Sequence, residues 1–300
     1  LQALLHRTPI WRPLLVLGRV SNLPTVWSNC LAAWFLGGAG QWGSLWPVCA
    51  GGTLLYVGGM YLNDAFDSRL DAQYRPERPI PSGAITRRAV SAIGGIMLGL
   101  GVALFAWTGP IPGWIALGLA ACIVLYDAVH KKTSFAPILM ASCRFLLYVA
   151  AASAGAEGLS ESVFWGALAL GLYVAGLSCL ARHEATGERV NYWALLLLVA
   201  PVIIAGMLYG FTSAKVSLVL PLFAGWLAWC LWPLVRVRAA GGAPRASSAS
   251  AGLIGRAVGG LLAGIVLVDL LLVPVSGTIL LMFPLLFAGA LILQRAVPAT

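Results

Sequence analysis

Asn63, Asp64, Asp67 and Asp71 fall within nine residues, Asn63-Asp64-Ala65-Phe66-Asp67-Ser68-Arg69-Leu70-Asp71, and bring three of the chain's ten acidic side chains to the end of a long apolar segment. On a helix they sit at roughly 0° (Asn63), 40° (Asp67), 80° (Asp71) and 100° (Asp64), so all four share one face. Three carboxylates on one face repel one another unless a cation lies among their oxygens. A hard divalent ion, Mg²⁺, shared between a few carboxylates and a substrate's phosphates meets that need. The expectation is a membrane enzyme acting on a diphosphate.

Five further polar features stand near or inside apolar segments. Arg75-Pro76-Glu77-Arg78-Pro79-Ile80-Pro81-Ser82-Gly83 is a loop whose three prolines restrict the backbone around two guanidiniums, which could bind phosphate oxygens or simply flank a membrane span. In Tyr126-Asp127-Ala128-Val129-His130-Lys131-Lys132-Thr133, Tyr126 and His130 share one helix face, and Asp127 and Lys131 the next. A Tyr-Lys pair at a membrane end also serves as an interfacial anchor. Glu184 and Glu188, four apart, could reach one shared ion or belong to a solvated loop of mixed charge; His183 beside them lacks a second His or Cys at ligand spacing. Arg144 and Asp269 each lie inside an apolar run, where a charge needs a cavity or a partner. Arg144 is expected to line a polar pocket, and Asp269 to pair with backbone or an Arg.

The elements that position these groups are membrane spans. Sixty per cent hydrophobic residues, ten per cent charged residues and a mean hydropathy of +0.90 exclude a soluble globule. Apolar runs of near-spanning length recur at 20–40, 44–62, 89–108, 112–128, 136–155, 162–181, 192–211, 215–235, 253–273 and 277–294. The fold class is thus all-α: a polytopic transmembrane bundle of nine or ten helices, in a single domain over 1–300, with a mobile linker near 236–252. With the N-terminus in the cytoplasm, Arg69, Arg75, Arg78, Arg87, Arg88, Lys131, Lys132, Arg182, Arg189, Arg236, Arg238 and Arg245 all fall on the inner side, and Lys215 alone on the outer. The positive-inside rule then puts the acidic cluster, and the active site, on the cytoplasmic face of a multi-pass protein of the plasma (inner) membrane. The formal charge of +9 reflects this bias and contact with membrane lipid headgroups, with no nucleic-acid partner. Residues 1–13 lack the pattern of a cleaved signal peptide, and the six separate cysteines are read as packing residues.

Asn63-Asp64-x-x-Asp67-x-x-x-Asp71, followed by Arg75-Pro-Glu-Arg78-Pro-Ile-Pro-Ser82-Gly, resembles the UbiA superfamily of intramembrane prenyltransferases at every specified position. The resemblance extends over roughly residues 15 to 235, including Arg19-x-x-Asn22-Leu-Pro. It implies that Asn63, Asp64, Asp67 and Asp71 hold Mg²⁺ on an isoprenyl diphosphate. Glu184-x-x-x-Glu188 would supply the second metal motif, where the family has D-x-x-x-D. Arg19, Asn22, Arg75, Arg78, Ser82, Tyr126, His130, Lys131 and Thr133 would bind substrate, with Arg144 lining the pocket. His130 replaces the family's usual Lys and Lys131 its Arg, so Lys131 would carry the phosphate charge. The Tyr-Asp-x-x-His-Lys and Ala-Arg-x-Glu segments resemble the EboC-like branch. Ten runs exceed the nine usual in the family, so either the last is an addition or 253–294 contains one broken segment.

The implied chemistry is ionisation of an allylic diphosphate, with Asp64, Asp67, Asp71 and Lys131 as the catalytic groups, followed by capture by an acceptor that the sequence does not identify. Intramolecular closure, making the chain a terpene cyclase, is the rival within the same chemistry. A transporter or lipid-binding protein is a rival of another class, but would place its polar groups near mid-membrane rather than at one face.

Overall fold

The computed structural model describes residues 11–186, 192–239, 248–274 and 277–297, in which the regular elements are all helices. In chain order they are α1 (Trp11–Leu17), α2 (Leu23–Leu36), α3 (Leu45–Tyr74), α4 (Arg87–Thr108), α5 (Pro110–Val129), α6 (Ala136–Ser153), α7 (Glu161–Thr186), α8 (Tyr192–Leu197), α9 (Ala200–Tyr209), α10 (Ala214–Ala239), α11 (Ser248–Leu272) and α12 (Met282–Ala296). Proline within the first two positions begins α2, α5, α6 and α9, where a missing N–H costs no helical bond. The Thr86 hydroxyl caps α4 by accepting from the Ala89 N–H at 3.2 Å.

Eight helices among the described residues are long and apolar enough to cross a membrane. Many large apolar side chains, among them Ile96, Leu100, Leu218 and Leu285, point outward, as they can when the solvent is lipid. The protein is an integral membrane protein.

Two of the ten expected spans are shorter than the sequence suggested. The run at 20–40 forms the 14-residue α2, about 21 Å long at 1.5 Å per residue. The run at 192–211 divides into α8 and α9, because Pro201 has no N–H to offer the carbonyl of residue 197. The last two runs are separate helices, α11 and α12, and α12 reaches spanning length together with the 3₁₀ turn before it, over Ile279–Ala296. Within the expected linker, helix covers 236–239 and 248–252, and residues 240–247 lie outside those described.

Helix α2 is almost wholly buried and packs against α3, α6, α11 and α12, making it the inner post of the bundle. Helix α3, which carries the acidic cluster, is set by a glycine seam with α4. A Cβ on Gly58 would lie 2.9 Å from the Gly94 carbonyl oxygen, and one on Gly101 3.0 Å from that of Gly51. Small residues of this kind let two membrane helices meet backbone to backbone. Gly58→Ala should therefore lower stability by about 1–3 kcal/mol, read as a lower melting temperature in detergent. Gly95→Ala, whose Cβ meets nothing within 4 Å, should change it by no more than about 0.5 kcal/mol.

The six cysteines are free thiols, as their separation in the sequence led us to expect, although Cys122 and Cys143 bring their sulfurs to 3.6 Å. Exposed Trp42, Trp46, Trp107 and Trp114 gather near the start of α3 and the α4–α5 turn, away from the acidic end, where amphipathic rings suit a membrane–water boundary.

Candidate active site

The helical face expected from the sequence is present and turned inward: Asn63, Asp64, Asp67 and Asp71 are 6, 8, 8 and 7% exposed. Each carboxylate meets a basic group, and these groups come from three different segments. Arg78, from the proline-stiffened loop after α3, places Nη1 2.9 Å from Asp71 Oδ2 and 3.3 Å from Asp64 Oδ1. Lys131, just beyond α5, puts Nζ 2.8 Å from Asp67 Oδ1, and His130 puts Nε2 3.5 Å from Asp67 Oδ2. Arg19 approaches Asp64 Oδ1 at 3.9 Å.

Arg19 gets there through a break in the first segment. Helix α1 ends at Leu17, a 3₁₀ turn occupies Val20–Asn22, and Arg19 between them has φ +43°, a left-handed conformation uncommon for a residue with a side chain. Backbone strain of this sort persists where the surroundings impose it. The Tyr61 hydroxyl, donating to the Leu14 carbonyl at 3.1 Å, fastens α1 to α3 beside the break.

His130 is oriented by its own helix. Its ring stacks on Tyr126, with centroids 5.0 Å apart, and Nδ1 lies 3.2 and 3.3 Å from the carbonyl oxygens of Tyr126 and Asp127. The loop that follows is tied to α7, since Arg182 donates to the Thr133 carbonyl at 2.7 Å. That bond brings the end of α7, whose backbone includes Glu184, toward Lys131. Glu188 lies outside the described residues, as does the side chain of Glu184.

Some expected site residues face elsewhere. Arg75 is exposed, its backbone N–H closing α3 on the Asp71 carbonyl at 2.7 Å. Ser82 donates to the Pro79 carbonyl at 3.3 Å and shapes its own loop. The Thr133 hydroxyl accepts from the Phe135 N–H at 3.2 Å.

Arg144 belongs to a separate buried network. Nη1 donates to Asn29 Oδ1 at 2.6 Å and Nη2 to Thr25 Oγ1 at 3.2 Å, while the guanidinium lies 5.5 Å from the Tyr56 ring centre. Asn29 and Ser28 in turn donate to Asp269 Oδ2 at 2.7 and 2.6 Å. Asp269 is therefore held by α2 side chains, rather than by backbone or directly by an Arg. Asn22 donates to the Tyr56 hydroxyl at 3.1 Å, which links this network to the segment carrying Arg19.

Two features went unread in the sequence. Asp127, paired with Lys131 on helical spacing, instead accepts from Asn63 Nδ2 at 3.0 Å. Thr25, Ser28 and Asn29 form a polar face on α2; their i, i+3, i+4 spacing inside an apolar run was the available signal.

Among the described residues no three His, Cys, Asp or Glu side chains lie close enough together to hold an ion. Asp64 and Asp71 nevertheless converge on one cationic position, because a single nitrogen of Arg78 touches both. The oxygen-only donor set, two carboxylates with a third and an amide beside them, suits Mg²⁺ and not a softer metal.

An all-helical membrane bundle with its acids and bases gathered at one end defines the class. The chain belongs to the UbiA prenyltransferase family, whose model matches residues 21–249. Among curated proteins it is similar to the digeranylgeranylglyceryl phosphate synthase of Methanoregula boonei, 43% identical over 82 residues, which cover 27% of this chain and 29% of that protein. It is also similar to the protoheme IX farnesyltransferase of Geobacter sulfurreducens, 31% identical over 96 residues, covering 31% and 36%. The chain thus spans 29% and 36% of the lengths of these two relatives. Its fold is like that of a UbiA homolog from Aeropyrum pernix K1, with a TM-score of 0.61 at 15% identity over 93% of this chain and 98% of that one. A second solved structure, from work on digeranylgeranylglyceryl phosphate synthase in membranes, gives a TM-score of 0.62 at 19% identity over 87% and 97%.

Proposed function

We propose that the chain transfers an isoprenyl group from a polyprenyl diphosphate to a nucleophilic acceptor, in a Mg²⁺-dependent reaction at the cytoplasmic face of the inner membrane. The observation that carries this reading is the Arg78 nitrogen bracketed by Asp64 and Asp71, with Lys131 on Asp67 beside it. A buried array of matched acids and bases suits a ligand that itself pairs anionic phosphates with a cation. Asp64, Asp67, Asp71 and the Asn63 carbonyl would hold Mg²⁺, with Glu184 and Glu188 as a second set. Bound there, the metal would neutralise the diphosphate and make it a competent leaving group.

Arg19, Arg78 and Lys131 would exchange carboxylate for phosphate oxygens when the donor arrives, holding it with its first carbon toward the acceptor. The apolar tail would remain among the helices, in contact with lipid. Arg69, Arg75, Arg78, Arg87, Arg88, Lys131, Lys132 and Arg182 at the cluster's end of the bundle support a cytoplasmic site and a cytoplasmic N-terminus. The relatives' names make farnesyl and geranylgeranyl diphosphate the donors to try first.

The test is diphosphate release from labelled donor as Mg²⁺ is titrated in membranes containing the protein. Glu184→Ala combined with Glu188→Ala should move the curve to higher Mg²⁺; an unchanged curve removes these two residues from the metal set.

A further inference from the structure

We propose that Asp127 is a positioning residue that fixes the amide of Asn63 so that its carbonyl oxygen faces the carboxylates of α3. This deepens the prenyl-transfer reading and rests on it. Asp127 is 4% exposed, sits near the end of α5 against α3, and accepts from Asn63 Nδ2 at 3.0 Å. Among the described residues its second oxygen, Oδ2, has no hydrogen-bond partner. The bond to Asn63 is thus the one side-chain hydrogen bond this carboxylate makes among the described residues.

A carboxylate accepts hydrogen bonds, so it selects the nitrogen edge of a neighbouring amide. With Nδ2 directed to Asp127, the Asn63 oxygen occupies the other edge of the amide. Asp67 and Asp71 lie about 40° and 80° around the helix from Asn63, so the oxygen edge left free would be directed to the face they share. A free amide could present either edge; one tied to Asp127 presents its oxygen, the edge a hard cation accepts. Partners that orient a ligand from behind affect metal affinity nearly as much as the ligands do.

The consequence is a sequence dependence that neither motif reveals alone. Asn63 belongs to the acidic motif of α3 and Asp127 to the Tyr126–Thr133 segment, and the structure makes them one unit across two helices.

The experiment uses the full chain in lipid nanodiscs, with Mn²⁺ binding followed by electron paramagnetic resonance and Mg²⁺ dependence of diphosphate release measured alongside. Asp127→Leu should weaken Mn²⁺ binding about 10- to 100-fold and raise the Mg²⁺ requirement to match, with turnover recovering at saturating metal. Asp127→Asn, whose amide can accept from Asn63 or donate to it, no longer selects one edge and should fall between the parent and Asp127→Leu. The exchange Asn63→Asp with Asp127→Asn restores a donor–acceptor pair and should bind Mn²⁺ more tightly than Asn63→Asp alone, in which two carboxylates face each other. The positioning role is overturned if Asp127→Leu binds Mn²⁺ as the parent does, or loses turnover equally at all metal concentrations. A parent protein that neither binds Mn²⁺ nor responds to Mg²⁺ overturns the metal-dependent reading and this inference together.

Discussion

Asp67→Ala is expected to lower diphosphate release from a prenyl donor by on the order of 10³-fold, corresponding to about 4 kcal/mol of lost transition-state stabilisation. Asp67 lies at the middle of the acidic face and is the one carboxylate there with two basic partners from beyond α5, Lys131 at 2.8 Å and His130 at 3.5 Å. Alanine removes an oxygen donor from the proposed metal set and also the ion-pair partner of Lys131. Asp67→Asn keeps the shape and a carbonyl oxygen but loses the charge, so it should retain more activity than the alanine variant while still falling well below the parent. The check is release of labelled diphosphate in membranes carrying equal amounts of each protein; full activity in Asp67→Ala is incompatible with the site described.

The second large effect concerns stability. Arg144→Met should destabilise the protein by about 3–5 kcal/mol, the cost of leaving one member of a buried charge network without its counter-charge. Asp269 is fully buried, and its network includes one cation, Arg144, reached through Asn29. Without the guanidinium, the Asp269 carboxylate would be left with two neutral donors deep in the bundle. Adding Asp269→Leu to Arg144→Met should then recover part of the loss, because the stranded charge goes with it. Melting of the four proteins in one detergent measures the coupling. Strictly additive losses would mean that the two ends of the network do not sense each other.

What the sequence revealed of the site followed the physics of the helix. Asn63, Asp64, Asp67 and Asp71 were legible because helical spacing alone puts them on one face, and their neighbours Arg78, His130 and Lys131 because a basic group next to an apolar run has few places to go. The bond from Asp127 to Asn63 was not legible, since it joins residues 64 apart on different helices and depends on which edge of an amide is turned. Arg75 and Ser82 looked equivalent to Arg78 in their loop, but only the Arg78 guanidinium reaches Asp64 and Asp71, while Arg75 and Ser82 are exposed. The length of the apolar runs predicted most of the helices. It could not anticipate the turn at Arg19, where a left-handed residue divides the first segment, or the division at Pro201, where proline outweighed continuous hydrophobicity. The polar face of α2 was hidden because Thr25, Ser28 and Asn29 are uncharged and mean something only beside Arg144 and Asp269.

The most direct test of the central claim is the mass of the product. Membranes containing the protein would be incubated with labelled geranylgeranyl diphosphate and Mg²⁺, extracted, and compared with the same membranes treated with a chelator. The account predicts a lipid-soluble product heavier than the acceptor by one prenyl group, formed with release of diphosphate and absent when Mg²⁺ is removed. A donor recovered intact under both conditions, or a product with the mass of the prenyl hydrocarbon alone, would contradict it.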